Sequence, residues 1–395
     1  MGWSTCTLAS MPPAPERIVP VREPRAARHV VHCADYGGPY SGSFVPMLAA
    51  AARAARERGY ETTICFSELA RARPWLDQLD GLAEIRFIKP SGTWADMQQL
   101  KRVLAETGGR PTVLHTHFGR FDVPAALLRA QRRHTAVLWH AHSGRHRTIK
   151  LRTKLYGAVF GRVVNAIVCV SREMYQAAPA LGFPPGKLRL LPNAIELARF
   201  DPVTPDERAA ARRRLGLSPD ARVVLHFAWN WAIKGGDRLV ATADLMASDP
   251  GLAFLTVISD SPGDAPRELL ERHPTVQPLA PRGNVNELYA AADALLNCSD
   301  AEGGIPYAVL EALARGLLVV VTDPPVQRDV LDGLPGARAV APEPQAISDA
   351  LREVLALTPA ERADHAAAAR QRIASSYSLE PWAQRLVDLY DEAIG

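Results

Sequence analysis

Twice along this chain, short β-branched runs alternate with longer amphipathic stretches, and that alternation restricts the fold to strand-helix-strand units around parallel sheets. The first series reads as strands at His29–Ala34, Glu61–Phe66, Glu84–Ile88, Thr112–His117, Ala136–His142 and Ala166–Val170, with Leu188–Leu191 closing it. Helices such as Phe44–Arg58 and Val123–Arg132 fall between them. The second series restarts at Val223–Phe227 and runs through Phe254–Ile258, Val276–Leu279, Ala294–Cys298, Leu317–Thr322 and Ala337–Val340. The expected class is α/β, with two doubly wound domains facing each other across a cleft. Residues 26–195 form the first domain and 196–376 the second, with the hinge where Pro202 and Pro205 interrupt the pattern. Residues 377–395 read as a last helix crossing back to the first domain. Residues 1–25, with Pro12, Pro13, Pro15, Pro20 and Pro24, read as a disordered arm and not as a secretory signal.

With 395 residues, 47% of them hydrophobic, the chain is long enough for two cores. Lys+Arg 46 against Asp+Glu 42 leaves a net charge of only +4, so no nucleic-acid partner is expected. No apolar run reaches the roughly 18 residues of a membrane span, because Arg162 and Asn165 interrupt the best candidate. The 5 cysteines stand at long spacings without a Cys-x-x-Cys pair, which suits a reduced cytoplasm.

Open parallel sheets bind ligands at the carboxyl ends of their strands, where helix N-termini offer free N–H groups to anions. Neither Gly-x-Gly-x-x-Gly nor a P-loop pattern occurs, so dinucleotide and P-loop chemistry are poor readings. Two other turns carry the right residues. After the first strand, Asp35 to Ser43 includes Gly37 and Gly38, and suits either close approach to a phosphate or sugar, or a tight turn with a Ser43 cap. Ser299 to Gly316 places Gly303 and Gly304 before a helix that Pro306 opens, so their N–H groups face a diphosphate. On that helix Glu311 lies among apolar residues and needs a partner such as a ribose diol. His115, His117, His140 and His142 end two consecutive strands. Residues two apart on a strand share a face without converging on one ion unless a carboxylate joins them, so no metal site is expected. Arg145, His146, Arg147, Lys150, Arg152 and Lys154 form a basic cluster. It reads either as a solvated helix face or as a patch for a phosphate-bearing acceptor or an anionic membrane surface.

The Ser299–Gly316 segment resembles the Glu-Gly-(x)-Pro-x-x-x-x-Glu-Ala-x-Ala-x-Gly signature of glycosyltransferase family 4. Gly37-Gly38, Val170-Ser171, Leu191-Pro192-Asn193, Lys234-Gly235 and Val320-Val321-Thr322-Asp323 follow the same family order. The resemblance implies a GT-B fold of two Rossmann-like domains. It also implies a retaining, metal-independent glycosyltransferase of the cytoplasm, which moves a hexosyl-type sugar from a nucleotide diphosphate sugar to an acceptor hydroxyl and needs no cofactor. By the same resemblance Glu311 holds the nucleotide ribose, Glu302 the transferred sugar, and Lys234 with Gly303 and Gly304 the diphosphate. His142 bonds the donor sugar, while His117 lies where the acceptor enters; on the patch reading of the basic cluster, Arg145 and Arg147 stand on the acceptor side as well. Two features depart from the family pattern. The Gly-Gly-Ile-Pro turn is one residue longer, which sets Glu302 one position further from Glu311, and the usual phosphate-binding Arg falls on Ala228 or Trp229, leaving Arg282 as its substitute. The acceptor stays open among an antibiotic-like secondary metabolite, a cell-surface polysaccharide precursor and a lipid. A nucleotide-sugar 2-epimerase, a sugar phosphorylase and an inactive donor-binding partner subunit are the alternative readings.

Overall fold

The computed structural model describes residues 28–89, 91–131, 134–142, 151–259, 265–300, 302–322 and 325–395. The expected arm over residues 1–25, and Arg145 and Arg147 with their neighbours, lie outside the described residues. The first sheet contains β1 (Arg28–Ala34), β2 (Tyr60–Ser67), β3 (Glu84–Ile88), β4 (Thr112–His117), β5 (Thr135–Ala141), β6 (Ala166–Cys169) and β7 (Leu188–Leu190). The second contains β8 (Arg222–Ala228), β9 (Leu252–Ile258), β10 (Val276–Leu279), β11 (Ala294–Asn297), β12 (Leu318–Thr322) and β13 (Ala337–Val340). Both sheets are parallel, in the orders β3-β2-β1-β4-β5-β6-β7 and β10-β9-β8-β11-β12-β13. Both expected doubly wound domains are therefore present. Strand order reverses between β1 and β4 and again between β8 and β11, which makes the loops after those four strands the natural ligand-binding turns.

Alternation along β1 explains why helices cover both faces of its sheet. Val30 and Ala34 enter the core beneath the Phe44–Glu57 helix, whereas Val31 and Cys33 enter the core on the opposite face, with Leu100, Leu114 and Leu128. The Phe44–Glu57 helix is rich in alanine and buried on nearly all sides, because a second helix, Leu379–Ile394, lies over it. That last helix buries Leu379, Trp382, Ala383, Leu386, Val387 and Tyr390, the spacing of one apolar stripe. Its outer edge is tied to the first domain by Asp391, which accepts from Tyr60 at 2.7 Å and pairs with Arg58 at 2.9 Å and with Arg28.

The chain leaves the first domain and returns to it side by side. Ile195 N–H donates to Tyr377 O at 2.9 Å, and Leu379 N–H donates to Ile195 O at 3.0 Å. If the last helix supplies core to the first domain, Trp382→Ala should cost about 3–5 kcal/mol, the range for a large aromatic removed from a packed interior. A fall in the urea midpoint is the expected readout, and a midpoint equal to wild type would mean that the helix does not dock.

Candidate active site

The carboxyl ends of the two sheets meet, and Lys234, Glu302, Gly303, Gly304 and Glu311 of the second domain gather around the turn after β11. Glu311, on the helix Tyr307–Ala314, is only 7% exposed. Each of its oxygens accepts one hydroxyl: Oε1 from Ser43 of the first domain at 2.5 Å, and Oε2 from Tyr289 at 2.7 Å. Burial raises the Glu311 pKa, and these two bonds oppose that shift by favouring the charged form. Ser43 precedes the Phe44–Glu57 helix but makes no side-chain cap bond there, because its hydroxyl is directed at Glu311.

Lys234 and Glu302 meet at 2.7 Å, with side chains only 12% and 10% exposed. The loop carrying Lys234 is held down from both sides. Its carbonyl accepts from or faces His226 Nε2 at 3.0 Å, and Gly235 sits at φ 71° so close to β11 that a Cβ there would lie 2.1 Å from Cys298 O. Only glycine fits that turn. Trp229, one of the two positions where the resemblance puts a phosphate-binding Arg, is 61% exposed and lies 5.3 Å from the Lys234 ammonium. Arg282 is placed on Glu287 at 3.2 Å, and among the described residues no contact joins it to Lys234 or Glu302. A cation that sequence reasoning missed stands closer: Arg238, one helical turn beyond Lys234, pairs with Asp300 at 2.7 Å and donates to Cys298 O.

The Gly303-Gly304 turn presses against the first domain. Ser171 Oγ donates to Gly303 O at 3.0 Å, Asn193 Nδ2 donates to Ile305 O at 3.0 Å, and a Cβ on Gly304 would stand 2.7 Å from Val170 Cγ2. Opposite it, Gly37 O and Gly38 O accept from Arg73 Nε and Trp75 Nε1, both at 3.0 Å, which fixes the loop after β1. Tyr40 from that loop donates across the cleft to Pro281 O at 2.8 Å.

The histidines correct one expectation. Register pairs His32 of β1 with His115 of β4, and His117 of β4 with His140 of β5, so imidazoles converge across strands although they do not along one. Ligand-type nitrogens of His32, His115 and His117 lie within 4.8 Å of one another, as do those of His117, His140 and His142. Either trio is close enough to hold an ion. The rings are instead joined nitrogen to nitrogen: His142 Nε2 to His117 Nδ1 at 3.0 Å, His117 Nε2 to His32 Nδ1 at 3.1 Å, and His115 Nε2 to His140 Nδ1 at 3.2 Å. Tyr390 of the last helix links the two halves, 2.7 Å from His115 Nδ1 and 3.5 Å from His32 Nε2. Several rings are stacked, among them His140 on His142 with centroids 4.1 Å apart. Burial lowers all five pKa values, His32 and His142 to about 3, so the rings are neutral. Phe118, the residue after β4, stands at φ 62°, a strained angle for an aromatic residue, with its ring 4.7 Å from that of His142.

Residues 47–199 match the family described as Glycosyltransferase Family 4, and residues 221–356 match the one described as Glycosyl transferases group 1. A D-inositol 3-phosphate glycosyltransferase of Actinosynnema mirum is 36% identical over 196 residues, 45% of this chain and 45% of that protein. The chain thus spans about half the length of the curated relatives it matches. Two solved structures share the fold. The Anabaena protein Alr3699/HepE in complex with UDP-glucose superposes with a TM-score of 0.76 at 16% identity, over 92% of this chain and 99% of that one. Sucrose-phosphate synthase from Thermosynechococcus elongatus superposes with a TM-score of 0.77 at 18% identity, over 92% and 98%. The fold is that of GT-B proteins.

The neutral histidines make stability depend on pH. A histidine whose folded pKa lies below its unfolded value of 6.5 contributes fully above pH 6.5 and loses that contribution as pH falls toward the folded value. His32, His115, His117, His140, His142 and His226 all act in this direction. Asp122, raised by burial to about 6, and Glu311 act in the other, since their protonation relieves a buried charge. The histidines outnumber them, so stability should drop as pH falls below about 6.5, each ring that stays neutral in the fold adding a slope of at most about 1.4 kcal/mol per pH unit. Thermal melts across that range test this. A level profile would mean that the rings already carry charge in the folded protein.

Proposed function

Because the chain belongs to glycosyltransferase family 4, we propose that it is a retaining, metal-independent glycosyltransferase that transfers a hexosyl-type sugar from a nucleoside diphosphate sugar to an acceptor hydroxyl. The observation that carries this reading is the pair of hydroxyls on Glu311, one on each carboxylate oxygen, with one of them reaching across the cleft. A ribose diol offers the same two donors, and it can take the place of Ser43 when the domains part. UDP-hexoses are the donors to test first, because the Anabaena structure of the same fold holds UDP-glucose.

In this reading the diphosphate lies between Lys234 and the start of the Tyr307–Ala314 helix, where backbone N–H groups of the Gly303-Gly304 turn and the helix dipole take up negative charge. His142 orients the sugar. The bond from the anomeric carbon to the phosphate oxygen breaks, the acceptor oxygen bonds to that carbon on the same face, and its proton passes to the departing phosphate oxygen. Such a path needs no separate general base. The acceptor proposed is a phosphate-bearing alcohol, the class named for the relatives, met by the basic residues from Arg145 to Lys154. A cytoplasmic site and a place in secondary-metabolite or cell-surface polysaccharide assembly belong to the same proposal. It is consistent with the buried free thiols of Cys33, Cys65, Cys169 and Cys298. Among the described residues no helix is long and apolar enough to cross a membrane.

The test is nucleotide release from UDP-hexoses with an alcohol acceptor in the presence of a chelator, alongside calorimetric binding. Glu311→Gln should weaken UDP-hexose and free UDP alike by about 1.5–3 kcal/mol, the cost of a lost charged hydrogen bond. Glu302→Gln should weaken the sugar nucleotide relative to free UDP, whose affinity should hold or rise because Lys234 is released from its pair. Tight donor binding without turnover on any acceptor would make the chain a donor-binding partner subunit instead. Loss of activity on chelation, restored by one divalent ion, would overturn the metal-independent mechanism.

A further inference from the structure

Five imidazoles and one phenol form a single head-to-tail file through the first domain, in the order His142, His117, His32, Tyr390, His115, His140. Every histidine uses both ring nitrogens except the two at the ends. His140 Nε2 is buried and has no partner, while His142 is partly exposed at the cleft and its Nδ1 has no partner among the described residues.

Counting protons fixes the direction of the file. Each neutral imidazole carries one N–H and the phenol one O–H, which makes six protons for five links, and each link holds one. The remaining proton must sit at an end. On His140 Nε2 it would be a buried N–H without an acceptor, the rarest kind of unsatisfied group. The neighbouring ring there is Trp382, 6.2 Å away between centroids, whose indole N–H is also buried and unpartnered. On His142 Nδ1 the proton faces the cleft.

We propose that His140, His115, Tyr390, His32 and His117 are positioning residues that hold His142 as its Nδ1–H tautomer, so that it presents a hydrogen-bond donor to an oxygen of the bound substrate. Each histidine in the file then donates from Nδ1 and accepts at Nε2, and Tyr390 donates to His32 while accepting from His115. The burial that keeps the rings neutral preserves the count, since a further proton would fill both ends at once. Tyr390 belongs to the helix that returns from the second domain, so the tautomer at the cleft depends on a residue far along the chain.

The inference rests on the glycosyltransferase reading only for what His142 donates to, and its test separates the two. In histidine-labelled protein, long-range 1H–15N NMR reads which nitrogen of each ring is protonated, with no substrate present. His142 is expected as Nδ1–H with a bare Nε2. An Nε2–H tautomer at His142, or a stoichiometric metal in the purified protein with the link protons gone, overturns the proposal. Tyr390→Phe cuts the file in the middle. It should leave His142 in a mixture of tautomers and lower kcat by about tenfold while donor KM stays within about twofold. Asn in place of His142 offers an N–H near the Nδ1 position and has no tautomer to set. His142→Asn should therefore retain more activity than His142→Gln, and Tyr390→Phe should have no further effect on kcat in the His142→Asn background. An equal loss from Tyr390→Phe in both backgrounds would show that Tyr390 serves only packing. Should the Nδ1–H tautomer be found in a protein that transfers no sugar, the positioning file stands and the transferase reading fails.

Discussion

A carboxylate buried as deeply as Glu311 keeps its charge only while hydroxyls bond it, and here one of the two hydroxyls belongs to the other domain. Closing the cleft and solvating Glu311 are therefore one event. Tyr289 is a fixed partner from the same domain, whereas Ser43 departs whenever the first domain moves away. Ser43 stands at the start of the Phe44–Glu57 helix, so the position of that whole helix is coupled to the state of the carboxylate. The contacts around it follow the same boundary: Ser171 with Gly303, Asn193 with Ile305, and Tyr40 with Pro281 all cross between the domains.

The chain passes between the two domains by a single route. The outgoing strand at Ile195 and the incoming one at Ser378 are bonded to each other, so both crossings share one short hinge. Beyond the hinge the Leu379–Ile394 helix packs as part of the first domain, with the Asp391 cluster clasping its outer side and Tyr390 reaching the histidine file on its inner side. The same helix thus closes a core and enters the polar interior next to the cleft.

Parallel strands buried on both faces are nearly continuous β-branched runs, which is why every strand could be placed from the sequence to within a residue or two, including the short Leu188–Leu190. Polar partnerships across elements leave no such trace. His115-x-His117 and His140-x-His142 are visible as pairs along strands, but His32 is one polar residue inside an apolar run, and only the register of β1 against β4 brings it to His115. Ser43 has the sequence of a helix cap and bonds a carboxylate instead. Tyr289 and Tyr390 sit at core positions of their helices, where the ring's burial is legible and the direction of its hydroxyl is not. Arg238 was readable in principle, four residues after Lys234 at the start of a helix, yet nothing in the spacing says that it faces the same loop.

The extra residue before Ile305 and the missing phosphate-binding Arg are connected through Lys234. The Gly303-Gly304 turn is packed against Val170 and bonded by Ser171, and Glu302 extends from it onto the Lys234 ammonium. Arg238 and Asp300 form a second opposed pair beside the first. The loop region therefore holds its cations already neutralised, and an incoming diphosphate meets little bare positive charge. On the transferase reading a phosphate oxygen must replace Glu302 on Lys234, and a carboxylate so released, still partly buried, needs hydroxyl donors of its own. The sugar attached to that diphosphate supplies them. Exchange at Lys234 would then deliver the leaving group to its cation and Glu302 to the sugar in one step, which reconciles a displaced glutamate with the role the family assigns to it.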